Sequence, residues 1–136
     1  MAETSYTLGP SQKARQRLVD VALGRAYADL VIRGGTLVNV YTGELIPDID
    51  VAIAGERFAV VGNARRTMGP ETLVVDAAGR YLVPGLVDSH YHIESSRLAP
   101  SRHAEATLPR GVTTIVEDTH EICNVLGAEG VRYFLE

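Results

Sequence analysis

A single cysteine, Cys123, among 136 residues excludes an internal disulfide, and with it the disulfide-stapled class of small secreted domains. A reducing cytoplasm is the compartment that fits. Neither sign of charge dominates: 13 Lys and Arg stand against 17 Asp and Glu, a net charge of -4. Binding to nucleic acid or to an anionic membrane therefore has no electrostatic support. No apolar run approaches the roughly 18 residues of a membrane-spanning helix. The opening MAETSYTLGP lacks the charged-then-apolar layout of a secretory signal. Internal repeats and low-complexity segments are also missing. What is there, 46% hydrophobic and 22% charged residues, is the balance of an ordinary folded chain. Its length suits one ordinary domain and falls short of most two-domain enzymes.

Apolar spacing divides the chain. Ser11 follows Gly9-Pro10 and can cap a helix running to about Tyr27, with Leu18, Val19, Ala22 and Leu23 at helical spacing. From Asp29 the period changes to two. Leu30-Val31-Ile32 and Thr36 to Val40, joined by Gly34-Gly35, predict one β-hairpin. Ile49 to Ile53 and Arg57 to Val61, joined by Ala54-Gly55-Glu56, predict a second. Residues 62–71 are expected to form a surface loop. Strand character resumes at Leu73-Val74-Val75 and Tyr81-Leu82-Val83, on either side of a turn at Asp76 to Gly79. Short strands with frequent turn residues point to a small sandwich or open barrel over residues 29–80.

After Pro84 the pattern shifts to buried strands alternating with helices: a strand over 86–92, a helix over 101–108, a strand over 111–116 and a helix from Val125 onward. That alternation is the start of a parallel α/β architecture. The organisation expected is an N-terminal helix over 1–28, a small β-domain over 29–80, and an α/β region over 81–136.

His90 and His92 are the sharpest chemical signal. Residues two apart on a strand project to the same side, about 7 Å apart, and imidazoles leaning together at a strand end can share a divalent ion. Imidazole suits zinc, iron and related metals. Asp88 and Glu94 fall on the same side and could orient a ligand histidine through its second nitrogen. Asp118, His120 and Glu121 form a second cluster at the end of the next buried strand, where catalytic groups collect in parallel barrels. The bland alternative is Asp118 or Thr119 capping a helix that begins near Glu121. Cys123 is expected to be a small buried thiol, Tyr91 to pack behind its strand, and His103, in a charged helical stretch, to be solvated.

The segment Val83-Pro84-Gly85-Leu86-Val87-Asp88-Ser89-His90-Tyr91-His92 resembles the first barrel strand of the metal-dependent amidohydrolase superfamily, whose P-G-x-x-D-x-H-x-H pattern supplies two metal ligands. The strands before it, including Ala28 to Gly35, look like the small β-domain preceding that barrel. Dihydroorotases, hydantoinases and allantoinases would fit this much equally well. Two stretches narrow the resemblance: His92-Ile93-Glu94-Ser95-Ser96 with Leu98-Ala99-Pro100, and His120 to Gly127, are similar to the adenine deaminase family. The leading helix, ending Val19 to Arg25, also fits. Thr119 stands where the family pattern has proline, and Cys123 where it has alanine.

The resemblance implies an α/β fold: a small β-sandwich-like domain followed by the first strands and helices of a (β/α)8 barrel. It implies hydrolytic deamination of adenine to hypoxanthine and ammonia. His90 and His92 match metal ligands, and Asp118, His120 and Glu121 match substrate or proton-transfer groups. The expected cofactor is a divalent metal in a two-metal site, with manganese or iron the expected ions and zinc an alternative. A small purine is the substrate, with neither nucleic acid nor membrane as partner, and the full-length form is expected to be a homo-oligomer. A complete barrel takes roughly 250 residues, so residues 81–136 hold at most two of its strands. The chain is thus expected to be an N-terminal fragment that is inactive alone. Two alternatives stand beside this: a cyclic-amide hydrolase of the dihydroorotase or hydantoinase type, and a non-catalytic metal-binding or interaction module.

Overall fold

A computed structural model describes residues 11–135; the reading of the first ten as free of a secretory signal lies outside them. Contacts divide the chain between Val83 and Pro84, and each unit has its own architecture.

The first unit begins with α1 (Gln12–Ala22), where the Ser11 hydroxyl accepts the Ala14 N–H at 3.2 Å. The helix stops five residues short of the predicted Tyr27. Gly24 takes φ +69°, a left-handed turn that ends a helix at little steric cost. Val21 is fully buried, and Leu18 packs against the same cluster. Arg17, on the same helix, pairs with Asp29, whose other oxygen accepts the Gly55 N–H at 2.7 Å. The Gly55 amide first, and Arg17 second, hold this carboxyl below its ordinary value.

Strands β1 (Leu30–Asn39), β2 (Glu44–Ala54) and β3 (Arg57–Gly62) pair antiparallel in sequence order. The hairpin predicted around Gly55 is present. The one predicted at Gly34-Gly35 is not: β1 runs through both glycines and turns only at residues 40–43. The pair makes a bulge, with the register shifting between Ile32 and Gly35. Gly34 has φ +71°, and its N–H donates to Asp50 Oδ1 at 3.0 Å. A Cβ on Gly35 would stand 2.6 Å from Leu82 Cγ, so a larger residue there would have to displace the Leu82 side chain. Strands β4 (Leu73–Asp76) and β5 (Tyr81–Leu82) do not pair with each other. Both run parallel to β1, one on each side of the bulge. The result among the described residues is one mixed five-stranded sheet in the order β3-β2-β1-β4, with β5 also on β1, in place of the expected sandwich. The supposed surface loop carries a short 3-10 turn, with Ala64 and Thr67 buried. The core combines Val21, Ala28, Val31, Ala52, Ala54 and Ala64.

Asp50 is 7% exposed, and its second oxygen accepts the Ala64 N–H at 3.1 Å. It therefore holds the bulge and the loop after β3 together. Asp50→Ala strips both amides of their acceptor and is expected to lower the stability of this unit by about 1–3 kcal/mol. Urea unfolding checks this, with a loss in midpoint at unchanged slope as the expected result.

In the second unit β6 (Leu86–Tyr91) pairs parallel with β7 (Val112–Glu117) as expected, but neither strand is buried. Leu86, Val87 and Val116 are each more than half exposed, because among the described residues only this one strand pair and its short helices are there to cover them. The connection is α2 (Pro100–Thr107), with proline in its first turn where a missing N–H costs nothing, followed by a turn at Leu108–Arg110. His103 of α2 contradicts the solvated expectation. It is 4% exposed, and its ring lies 4.7 Å from that of Tyr91. Its charged neighbours Arg102 and Glu105 pair on the outer surface of the helix, while the imidazole turns inward onto the strand. The single helix expected from Val125 is two, α3 (His120–Leu126) and α4 (Ala128–Leu135), broken at Gly127 with φ +63°. No described helix is long and apolar enough to cross a membrane.

Candidate metal centre

Strand β6 ends at Tyr91, and His92 follows in extended conformation before the chain enters a 3-10 turn over Ile93–Ser96. Period-two spacing carries through that last step, so both imidazoles emerge on one side. His90 Nε2 and His92 Nε2 stand 3.1 Å apart, with the rings edge to face. Two nitrogens bound at 2.0–2.1 Å to one tetrahedral ion would be separated by about 3.3 Å.

The tautomer of His92 follows from its other nitrogen. Nδ1 lies 2.7 Å from the Asp118 carbonyl oxygen, which can only accept, so Nδ1–H donates. In the neutral ring Nε2 then carries the lone pair toward His90, as a metal ligand must. That same contact, followed by the Asp118, Glu94 and Glu117 charges, raises the imidazole above its ordinary value, against a smaller opposing effect of burial. The predicted orienting carboxylates do something else. Asp88 Oδ1 accepts the His90 backbone N–H at 3.3 Å, and Glu94 lies beyond the strand in the 3-10 turn. A main-chain carbonyl does their work.

Asp118 completes the cluster. Its carboxylate and the two imidazoles present ligand atoms within 4.8 Å of one another. The donor set, two imidazoles and one carboxylate, fits a divalent transition ion with one position open to water. His120 stands beside this group, its ring 4.7 Å from His92 and its Nδ1 3.4 Å from Asp118 Oδ2. The capping alternative holds in position only: Thr119 is the N-cap of α3, but its side chain makes no bond to the helix.

Glu121, in the first turn of α3, is tied to the loop after β6. Ser95 Oγ donates to its Oε1 at 2.7 Å, and its own N–H donates to Glu94 Oε1 at 3.1 Å. The carboxylate of Glu117 accepts the Ile93 N–H on both oxygens, at 3.0 and 3.1 Å. Burial first, then the neighbouring Glu94, raises the Glu117 carboxyl despite that amide. Burial also works to raise Glu94, but hydrogen bonds from backbone amides and from Glu117 outweigh it and hold Glu94 low. The parts played by Ser95 and Glu117 carried no signal in the sequence. They depend on parallel pairing of β6 with β7, which sets two loops from distant positions side by side. Cys123 is partly buried and takes no part in these contacts.

No family model matches the chain. Among solved structures it is similar to a D-aminoacylase mutant in complex with copper chloride, with 27% identity and TM-score 0.56 over 67% of this chain and 18% of that one. A prolidase complexed with N-methylphosphonate-L-proline has 25% identity and TM-score 0.54 over 71% of this chain and 28% of that one. These structural neighbours are members of the amidohydrolase superfamily of metal-dependent hydrolases.

The chain is 57% identical to an adenine deaminase of Paracoccus denitrificans over 133 residues, 97% of its own length and 22% of that protein. It is 55% identical to adenine deaminase 3 of Rhizobium meliloti, over 92% of the chain and 21% of that protein. With an adenine deaminase of Moorella thermoacetica the identity is 48%, over 96% and 22%. The chain is thus similar to adenine deaminases over nearly all of its own length, and spans about a fifth of the length of these relatives.

Proposed function

We propose that a full-length protein carrying this segment hydrolyses adenine to hypoxanthine and ammonia at a divalent-metal site. The observation that carries the reading is the approach of His90 Nε2 and His92 Nε2 to 3.1 Å beside the Asp118 carboxylate. The identity to adenine deaminases supplies the substrate class. In this reading residues 84–136 open a (β/α)8 barrel, and the mixed sheet before them is the small accompanying β-domain.

His90 and His92 would hold the metal, whose contribution when bound is Lewis acidity and a water acidic enough to react near neutral pH. Asp118 stands where it can serve as a further ligand or accept a proton from that water. In the same reading His120, 3.4 Å from Asp118, would pass a proton on, and Glu121 would donate or accept one at the purine. The water oxygen would end on C6 of the ring and the amino group would leave as ammonia. Manganese or iron is the expected ion, with zinc the alternative, in a two-metal site completed by residues elsewhere in the full-length protein. A homo-oligomer in the cytoplasm is part of the same proposal.

The test is ammonia release from adenine by the full-length protein loaded with manganese, iron or zinc. A parallel assay follows ring opening of dihydroorotate and hydantoin. Adenine turnover with inert cyclic amides is the expected result; the reverse pattern would replace this reading with the cyclic-amide hydrolase. Metal binding with neither activity would indicate a non-catalytic module.

A further inference from the structure

We propose that Ser95 is a positioning residue for Glu121, fixing the carboxylate on which the reading above places proton transfer; the inference rests on that reading. A glutamate side chain in the first turn of a helix has several rotamers available and no packing to choose among them when exposed. Glu121 is exposed, and among the described residues no lysine or arginine pairs with it. What holds it comes from the loop after β6. Ser95 Oγ donates to Oε1 at 2.7 Å, the short distance expected of a hydroxyl on a carboxylate. Glu94 Oε1 accepts the Glu121 N–H at 3.1 Å. Consecutive residues thus grip the side chain and the main chain of Glu121.

The grip is pre-set. Ser95 lies in the 3-10 turn of Ile93–Ser96, which Arg97 closes with φ +62°. The turn is anchored at its start by the Ile93 N–H on Glu117 and at its end by the Ser96 hydroxyl on the Ile93 carbonyl, at 2.5 Å. Ser95 occupies one oxygen of Glu121, so the carboxylate keeps Oε2 for a substrate atom while its plane is fixed. The turn follows directly on His92, so the segment that grips Glu121 is continuous with a candidate metal ligand.

Because the Ser95 side chain is exposed, removing its hydroxyl leaves no cavity, and the variant should fold normally. In the full-length protein Ser95→Ala is expected to lower kcat for adenine by about tenfold, the low end for a residue acting through another, with KM and metal content little changed. Ser95→Thr keeps the hydroxyl and should retain most of the rate. Introduced into a Glu121→Gln background, Ser95→Ala should cost nothing further. An unchanged kcat, or the same loss persisting in that background, overturns the inference. A Glu121→Gln variant with full activity overturns it as well. If Glu121→Gln is crippled and Ser95→Ala is not, the proposed function stands and this inference falls. If the wild-type protein turns over no adenine, the function falls, and crystal structures of wild type and Ser95→Ala decide the positioning claim. A Glu121 side chain reoriented or spread over several rotamers in the variant supports it, and one held as in wild type overturns it.

Discussion

His90→Ala in a full-length protein carrying this segment is expected to lose bound metal and adenine deamination together. The fall should exceed the roughly 10–100-fold typical of residues that only orient a ligand. The His90 imidazole supplies one of two ring nitrogens 3.1 Å apart at the strand end. Among the described residues the remaining imidazoles are engaged otherwise: His120 Nδ1 lies 3.4 Å from Asp118 Oδ2, and His103 is buried against Tyr91. His90 is exposed at the end of β6, so the fold should survive. Metal content by atomic emission, with ammonia release measured on the same sample, checks the prediction. A variant with full metal and full rate would remove His90 from the centre.

Gly85→Ala is the second large effect, and it acts on folding. A Cβ at this position would sit inside the Thr113 side chain, whose own Cβ would lie 2.7 Å away. Gly85 immediately precedes β6, and the Leu86 N–H donates to the Gly111 carbonyl at 2.8 Å, so neither backbone can withdraw without breaking the start of the parallel pair. Overpacking of this kind costs about 1–3 kcal/mol, occasionally more. Chemical denaturation of the full-length variant should show that loss, and Thr113→Ala in the same background should recover part of it. Unchanged stability would mean that β6 and β7 approach less closely than described.

Three other glycines, Gly34, Gly35 and Gly55, show why part of the fold was legible in the sequence and part was not. Around Gly55 the sequence is locally sufficient: a turn residue sits between two period-two runs, and the hairpin forms there. Gly34 and Gly35 carry the same local signal and make a bulge instead. What decides it is Asp50, sixteen residues away, and the Leu82 side chain over Gly35. Both are tertiary, so propensity could not weigh them. His103 was misread for a related reason. Its helical neighbours are charged, and its partner Tyr91 belongs to the preceding strand. At the candidate metal centre His90 and His92 were legible because spacing on one strand is a local property. The carboxylates expected to orient them were not the answer. The hydrogen bond to His92 comes from a peptide oxygen, a group every residue possesses and no sequence pattern marks.

That peptide oxygen has a consequence for how the centre tolerates change. An orienting aspartate or glutamate can be deleted by one substitution, and the histidine it serves then loses its preferred tautomer. The carbonyl of residue 118 persists whatever side chain the codon specifies. Alteration at this position can therefore change the charge and donor set of the candidate centre while His92 goes on presenting the same nitrogen. The donor set of the site and the tautomer of His92 are mutable separately.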